Sequence, residues 1–269
     1  MSIVSFDLLI ICSISSRKDD TLTARKDRIL ELLKQHSFLS VNQLSETLHF
    51  SQSTIGRDLF DLEKVGLIQR TRGGAMHMSS KFLESPSKFK QTIHKKEKKY
   101  ISELATNYIE DYHAIFLDGS STCNTFAKEL SLFKHLNIIT PNLKTALELE
   151  EETDNNIFAL GGNVSDVLVD GLQTNHYVQD YLIDMAFISC RGLQIPFGLS
   201  DRLQNEADLK RIVRNQSKQV IALVDHYKFN KGYLYRILPA KQIDVLITDE
   251  KPSSKYVDFL QRNDVELVY

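Results

Sequence analysis

Partway along this 269-residue chain the spacing of apolar residues changes, and two differently built cores are implied. Up to about residue 75 apolar side chains recur at helical intervals and the stretch ends in Gly73-Gly74; beyond it, short β-branched runs alternate with helical ones. Ile115–Leu117, Asn137–Ile139, Ile157–Leu160, Ala186–Ile188, Val220–Val224 and Val245–Ile247 read as strands. Helices are predicted near Cys123–Leu130, Leu143–Glu151 and Gln204–Ser217. Apolar runs without polar alternation, separated by helices, fit a mainly parallel sheet covered on both faces. The length is that of about two domains.

In the first part, Ile29, Leu30, Leu32 and Leu33 share one face of a helix between Ala24 and His36, opposite Arg25, Lys26, Asp27, Glu31 and Lys34. Ser40-Val41-Asn42-Gln43 is a capping box that opens a second helix through Leu48. Ser51 can cap a third, which turns Ile55, Leu59 and Leu62 inward and ends at Gly66. Leu67 to Ala75 then reads as a strand entering a Gly-Gly turn. Three helices and a β-wing make a winged helix-turn-helix over residues 24–78, whose partner is double-stranded DNA. The third helix would enter the major groove and present Gln52, Ser53, Thr54 and Arg57. Gln can pair bidentately with adenine and Arg with guanine, while Ser and Thr donate to base or phosphate. Ser40, Arg70 and Arg72 join the DNA-binding candidates, the arginines along the backbone or minor groove. The plainer alternatives are a polar surface helix and an exposed hairpin that binds nothing.

Charge follows the same division. Residues 25–99 carry 15 basic and 8 acidic side chains, whereas residues 100–269 carry 16 and 24, so the first part attracts phosphate and the second repels it. Residues 79–96 read as a basic linker with Pro86 and several serines, merging into a helix at about Glu97–Ile109, and residues 97–269 as the α/β domain. Residues 1–23 read as an extension from a start site placed too far upstream. Met1–Cys12 is apolar but interrupted by Asp7, lacks a basic n-region and is too short to span a bilayer, and no other run is long enough. Cys12, Cys123 and Cys190 are odd in number and lack a C-x-x-C pair, which fits a reducing cytosol and a cytoplasmic location. The eight histidines show no ligand spacing, so neither metal nor cofactor is expected.

Asp118-Gly119-Ser120-Ser121-Thr122 follows one buried strand and opens a helix. In open parallel sheets ligands collect at strand C-terminal ends, and hydroxyls with free N–H groups suit an anion. A plain turn is the alternative, with Cys123 simply a small buried residue.

Leu39-Ser40-Val41, then Ser53 through Leu59, Leu62-Glu63, Gly66 through Arg70 and Gly73-Gly74-Ala75 resemble the DeoR family of bacterial regulators. One residue departs from that pattern: Gly56 stands where the family has the first of two arginines, removing a phosphate contact. Further landmarks follow in order: Thr140-Pro141-Asn142-Leu143, Gly161-Gly162, Gly171, Asp184 to Phe187, Gly192, Gly198-Leu199-Ser200, Glu206 with Lys210, Asp225 through Phe229, and Thr248-Asp249. The resemblance spans about residues 24–249. It implies a sensor domain related in fold to sugar-phosphate isomerases that binds a phosphorylated sugar or related metabolite without converting it. Ser120, Ser121 and Thr122 would then hold phosphate, and Asp118, Glu206, Asp225 and Lys228 would line a polar pocket. Asn142, Gly161, Gly162, Lys210 and Arg191 complete the effector-binding candidates. The family departures here are the exchanged Gly119-Ser120 order, Pro141, and Arg191, which is either an anion ligand or a surface ion pair. Glu206 with Lys210 can also be a helix ion pair, and Asp225 with Lys228 a turn.

The expected function is a repressor of carbohydrate metabolism whose operator affinity depends on a phosphorylated sugar. It would act as a homo-oligomer, because one winged helix covers little DNA. An isomerase using Asp118, Glu206 and Lys228 for proton transfer is the rival reading, and a regulator that has lost its ligand response the third. A groove-reading helix has no use in a stand-alone isomerase.

Overall fold

The computed structural model describes residues 25–33, 35–36, 38–64, 68–71, 73–77, 91 and 94–269. The expectations for Gly66, Arg72, residues 1–23 and most of residues 79–96 lie outside these described residues. The chain divides into two compact units, residues 1–89 and 90–269.

In the first unit, α1 covers residues 25–33, followed by β1 (Phe38–Ser40), α2 (Val41–Leu48), α3 (Gln52–Lys64), β2 (Ile68–Thr71) and β3 (Gly74–His77). The capping box forms as its residue types dictate: Gln43 N–H donates to Ser40 Oγ at 3.1 Å and Ser40 N–H to Gln43 Oε1 at 2.9 Å. Ser51 Oγ accepts from Thr54 N–H at 3.3 Å at the start of α3. Ile29, Leu33, Leu44, Ile55, Leu59, Leu62 and Ile68 close one apolar core. The wing is a three-stranded antiparallel sheet in the order β1-β3-β2. β1 was not foreseen, because three residues are too few for alternation to register. Its presence explains the glycine pair: Gly73 turns at φ +91°, and a Cβ on Gly74 would run into the Leu39 carbonyl oxygen of β1.

Asp58 is 3 % exposed and accepts from the guanidinium of Arg25, whose Nη2 lies 2.9 Å from Asp58 Oδ1. The same guanidinium sits 4.8 Å from the centre of the Phe50 ring, so one cation fastens α1, α3 and the turn between α2 and α3. Removing the carboxylate strands a largely buried charge. Asp58→Ala is therefore expected to destabilise the DNA-binding unit by about 3 kcal/mol in chemical denaturation; a loss below about 1 kcal/mol, the level of a surface pair, would show that this contact does not hold the helices together.

The second unit opens with α4 (Lys95–Ala105), then β4 (Ala114–Leu117), α5 (Ser121–Ala127), β5 (Asn137–Thr140), α6 (Leu143–Glu152), β6 (Asn156–Ala159), β7 (Asn163–Ser165), β8 (Leu168–Asp170) and α7 (Leu172–Tyr177). It continues through β9 (Ile183–Ile188), β10 (Gly192–Gln194), β11 (Gly198–Asp201), α8 (Gln204–Gln216), β12 (Ser217–Leu223), β13 (Tyr235–Arg236), β14 (Val245–Ile247), α9 (Ser254–Gln261) and β15 (Glu266–Val268). The main sheet has seven strands in the order β15-β14-β12-β9-β4-β5-β6, and every pairing in it is parallel. Neighbouring strand residues point to opposite faces: Phe116, Ala186 and Ala222 join one core with α8 and α9, while Ile115, Leu117, Phe187 and Leu223 join another with α4, α5 and α6. The fold is thus α/β with a mainly parallel sheet, as the apolar runs required.

Chain order fixes where a site can lie. From β4 the chain moves outward through β5 and β6, then crosses back to β9 and proceeds the other way. The loops leaving β4 and β9 consequently diverge, opening a crevice at the strand C-terminal ends. No helix among the described residues is long and apolar enough to cross a membrane.

Candidate effector site and DNA-facing helix

Asp118 follows β4 at that crevice and is 2 % exposed. Its Oδ1 accepts from Ser120 N–H at 2.8 Å and its Oδ2 from Ser189 N–H at 2.7 Å, so it staples the two diverging loops together. A Cβ on Gly119 would meet Leu168 Cδ2, the end of a side chain that can move, so glycine eases the approach of the β8 residue without being required for it. The Ser120 hydroxyl is occupied as the cap of α5, accepting from Cys123 N–H at 3.2 Å. Thr122 is fully buried, which leaves Ser121 as the half-exposed hydroxyl of the loop. Asn142 caps α6 by accepting from Thr145 N–H at 3.1 Å and donates to Gly119 O at 3.4 Å, supporting the loop from below.

Lys210 is the centre of one polar cluster. Its Nζ, 3 % exposed, lies 3.3 Å from Asp118, 3.4 Å from Asp201 and 3.2 Å from Glu206. Burial opposes charge on Lys210, but Asp118, Glu206 and Asp201 outweigh it and hold the ammonium well above its ordinary pKa. Burial likewise opposes charge on Asp118, and Lys210 with the loop donors brings its pKa below the ordinary value. Proton transfer needs a pKa near the working pH, and this pair is displaced away from it on both sides. Asp118, Pro141, Leu168, Asp170, Asn205 and Glu206 line a small cavity beside it.

Lys228 is the centre of the second cluster. Its Nζ donates to Ser189 Oγ at 2.8 Å and Thr122 Oγ1 at 3.3 Å and lies 3.3 Å from Asp225 Oδ2. Asp225 is 1 % exposed, and its Oδ1 has no hydrogen-bond partner. Lys98 of α4 is also buried here; burial first, then Lys228, pushes its pKa down to about 8, with Arg191 a further cationic neighbour. The structure therefore gathers Asp118, Ser120, Ser121, Thr122, Asn142, Glu206, Lys210, Asp225 and Lys228 around the two loops. Gly161 and Gly162 instead lead into the β7–β8 hairpin, where Gly161 O accepts from Thr174 Oγ1 at 2.9 Å.

Ser189, Asp201 and Lys98 were missed in the sequence. Ser189 and Asp201 are brought in by the sheet crossover, which no local pattern records. Lys98 had a signal: it falls on the same α4 face as Ile101, Ser102 and Ala105, a cation in an otherwise buried stripe. Cys123 and Cys190 are buried thiols whose pKa is pushed up by burial, to about 12 for Cys190. Among the described residues no cluster could hold a metal ion.

On α3, Gln52, Ser53 and Arg57 are exposed and Thr54 half-buried, with Ser51 Oγ 2.9 Å from both Ser53 Oγ and Thr54 Oγ1. Ser40 is engaged in its capping box, and Arg70 is exposed with its backbone N–H donating to Glu63 Oε1 at 3.0 Å. Gly56 lies within an unbroken α3, and a Cβ there would meet nothing.

A winged helix-turn-helix joined to an α/β unit with a switch-point crevice defines a DNA-binding transcriptional regulator with a sensor domain. Residues 25–81 match the DeoR-like helix-turn-helix domain and residues 93–250 the DeoR C terminal sensor domain, and the chain belongs to the DeoR family. It is 34 % identical to the HTH-type transcriptional regulator GolR of Listeria innocua, over 84 % of this chain and 90 % of that one. It is 33 % identical to the HTH-type transcriptional repressor GlcR of Bacillus subtilis, over 89 % and 93 %. The Glycerol-3-phosphate regulon repressor of Escherichia coli is 28 % identical over 91 % and 98 %. A D-ribose-5-phosphate isomerase structure is similar with a TM-score of 0.38 and 21 % identity over 50 % of this chain and 54 % of that one. The protein is thus a transcriptional regulator of that family.

Lys210→Met would leave three carboxylates facing one another and is expected to destabilise the second unit by about 3–5 kcal/mol at neutral pH. In the native protein the depressed Asp118 pKa contributes stability above its unfolded value, lost as pH falls through the native one. Without the ammonium the carboxylate pKa rises, so the deficit of the variant should shrink as the pH is lowered toward about 4. Equal deficits across that range, read from urea midpoints, would contradict this assignment.

Proposed function

We propose that this regulator is a cytoplasmic repressor that binds its operator as a homo-oligomer and changes operator affinity when a phosphorylated sugar occupies the crevice beside Asp118–Thr122. The observation that carries the reading is the convergence of Lys228 on Ser189 and Thr122 beside the half-exposed Ser121. A cation and a hydroxyl meeting at a water-accessible crevice suit a phosphate, in a region whose overall charge is negative. Asp225 Oδ1 and the Glu206 carboxylate are suited to accept from sugar hydroxyls. A relative named for the glycerol 3-phosphate regulon supports a phosphorylated polyol or sugar as the chemical class.

On the DNA side, Gln52 and Arg57 would reach base edges in the major groove, with Ser53, Thr54, Ser40 and Arg70 donating to phosphates; Arg72, expected to join them, lies outside the described residues. Asp58 is spent inside the fold on Arg25, so Arg57 is the reading residue of that pair. Two half-sites related by the oligomer symmetry would supply the contact area that a single winged helix lacks.

The test is fluorescence anisotropy on an operator selected from random duplexes. Gln52→Ala and Arg57→Ala should each cost about 1–3 kcal/mol against that operator and little against random DNA. Sugar phosphates should shift the affinity of the wild type and leave Ser121→Asp unmoved, because the new carboxylate repels phosphate. Unchanged operator preference in the α3 variants would overturn the groove assignment. An equal response of wild type and Ser121→Asp, or a response to unphosphorylated sugars alone, would overturn the effector site.

A further inference from the structure

We infer that two copies of this chain associate through β6, the open edge of the main sheet, with the two β6 strands pairing antiparallel about a twofold axis at Phe158. The inference rests on the homo-oligomer reading above and gives that reading its surface.

β6 ends the seven-stranded sheet, and no strand among the described residues pairs with its outer side. Asn156 N–H donates to Leu136 O at 2.9 Å and Leu160 N–H to Thr140 O at 3.0 Å, so the even-numbered residues of β6 spend their backbone groups on β5. Successive residues of a parallel strand turn those groups to opposite sides, and Ile157 and Ala159 therefore direct N–H and C=O outward. Such a row is a template for another strand, and edges are ordinarily blunted by charge, proline or a covering element. The opposite edge of this sheet is blunted: β15 carries Glu266, whose carboxylate accepts from the Tyr108 hydroxyl at 2.7 Å. β6 has no such protection in its sequence. Residues 155–165 contain no charged side chain, no histidine and no proline, in a chain that is 25 % charged.

One face of this edge is aromatic. Phe158 is 39 % exposed and meets Tyr181 edge-on with ring centroids 5.9 Å apart. Tyr177, 50 % exposed, lays its ring beside the end of the strand, where a Cβ on Gly161 would stand 3.3 Å from Tyr177 Cε2. Charge then selects the occupant and its direction. Glu150, Glu151, Glu152 and Asp154 are exposed just before β6, whereas Gly161, Gly162 and Asn163 after it are neutral. Parallel pairing of two copies would set the acidic ends side by side, while antiparallel pairing sets each against the neutral end of the other. With the axis at Phe158, Asp154 falls opposite Gly162 of the second copy. Ile157 of one copy then exchanges N–H and C=O with Ala159 of the other, and Phe158 faces its own counterpart at a Cβ separation of about 4.5–5.5 Å. The second copy thus offers a matching row of backbone groups, the same aromatic strip on the same face and no like charge opposite. A twofold pairing also closes, because each open edge is used up by the other.

The experiment uses the full chain in sedimentation equilibrium at about 10 μM, with amide hydrogen exchange at residue resolution. Wild type should be an oligomer in which the Ile157 and Ala159 amides are protected at least about a hundredfold over an unstructured chain. Phe158→Lys and Phe158→Glu each set like charges opposite one another and should each run at half the wild-type mass. An equimolar mixture of the two should regain that mass, because opposite charges then face each other, and the recovery shows that both variants are folded. Wild-type mass in the separate variants, or unprotected Ile157 and Ala159 amides in the wild-type oligomer, would overturn the β6 surface and leave the homo-oligomer standing. Variants that dissociate but do not reassemble on mixing would overturn the pairing about Phe158. A monomeric wild type would overturn both this inference and the homo-oligomer reading.

Discussion

Lys210 places its ammonium within 3.2–3.4 Å of Asp118, Asp201 and Glu206, and in doing so joins the loop after β4, the strand β11 and the start of α8. Asp118 in turn holds the Ser120 and Ser189 amides, so the geometry of both crevice loops traces back to one buried charge. Burying such a cluster is costly unless every member is paired. That cost gives the loops few alternative arrangements, which a site for a small anion requires. It also separates the roles of two lysines: Lys210 is locked among carboxylates, whereas Lys228 faces hydroxyls and retains 18 % side-chain exposure.

The DNA-binding unit divides its labour in the same way. Asp58 and Arg57 are neighbours in sequence, yet the first is buried against Arg25 and the second exposed on α3. Ser40 and Ser51 are used to start helices, which orients α3 relative to the wing. The open space over Gly56 means that the family's missing arginine is a change in surface charge and helix propensity, with no packing adjustment required.

The six central strands, the four main helices flanking the motifs and the helix caps at Ser40 and Ser51 were legible because each leaves a periodic or cap signature within a few residues. β1, β7, β8, β10, β11, β13 and β15 were not, being two to four residues long without the apolar run that marks the equally short β4, β5, β6 and β14. Asp118, Ser121 and Lys228 were named as candidates through loop chemistry and family resemblance, and the structure puts them at the same two loops. Ser189 and Asp201 were not, because their proximity exists only after the β9 crossover has formed. Lys98 lay within reach of sequence reasoning: residues 97–109 were read as a helix, but its apolar period was not followed, so the cation on the buried face of α4 went unnoticed.

The most direct measurement is a crystal structure of the full chain grown with a sugar phosphate that raises its melting temperature. The account places phosphate oxygens within about 3 Å of Ser121 Oγ and Lys228 Nζ, with sugar hydroxyls toward Asp225 and Glu206. A ligand bound elsewhere, with Lys228 still directed only at Ser189, Thr122 and Asp225, would contradict it.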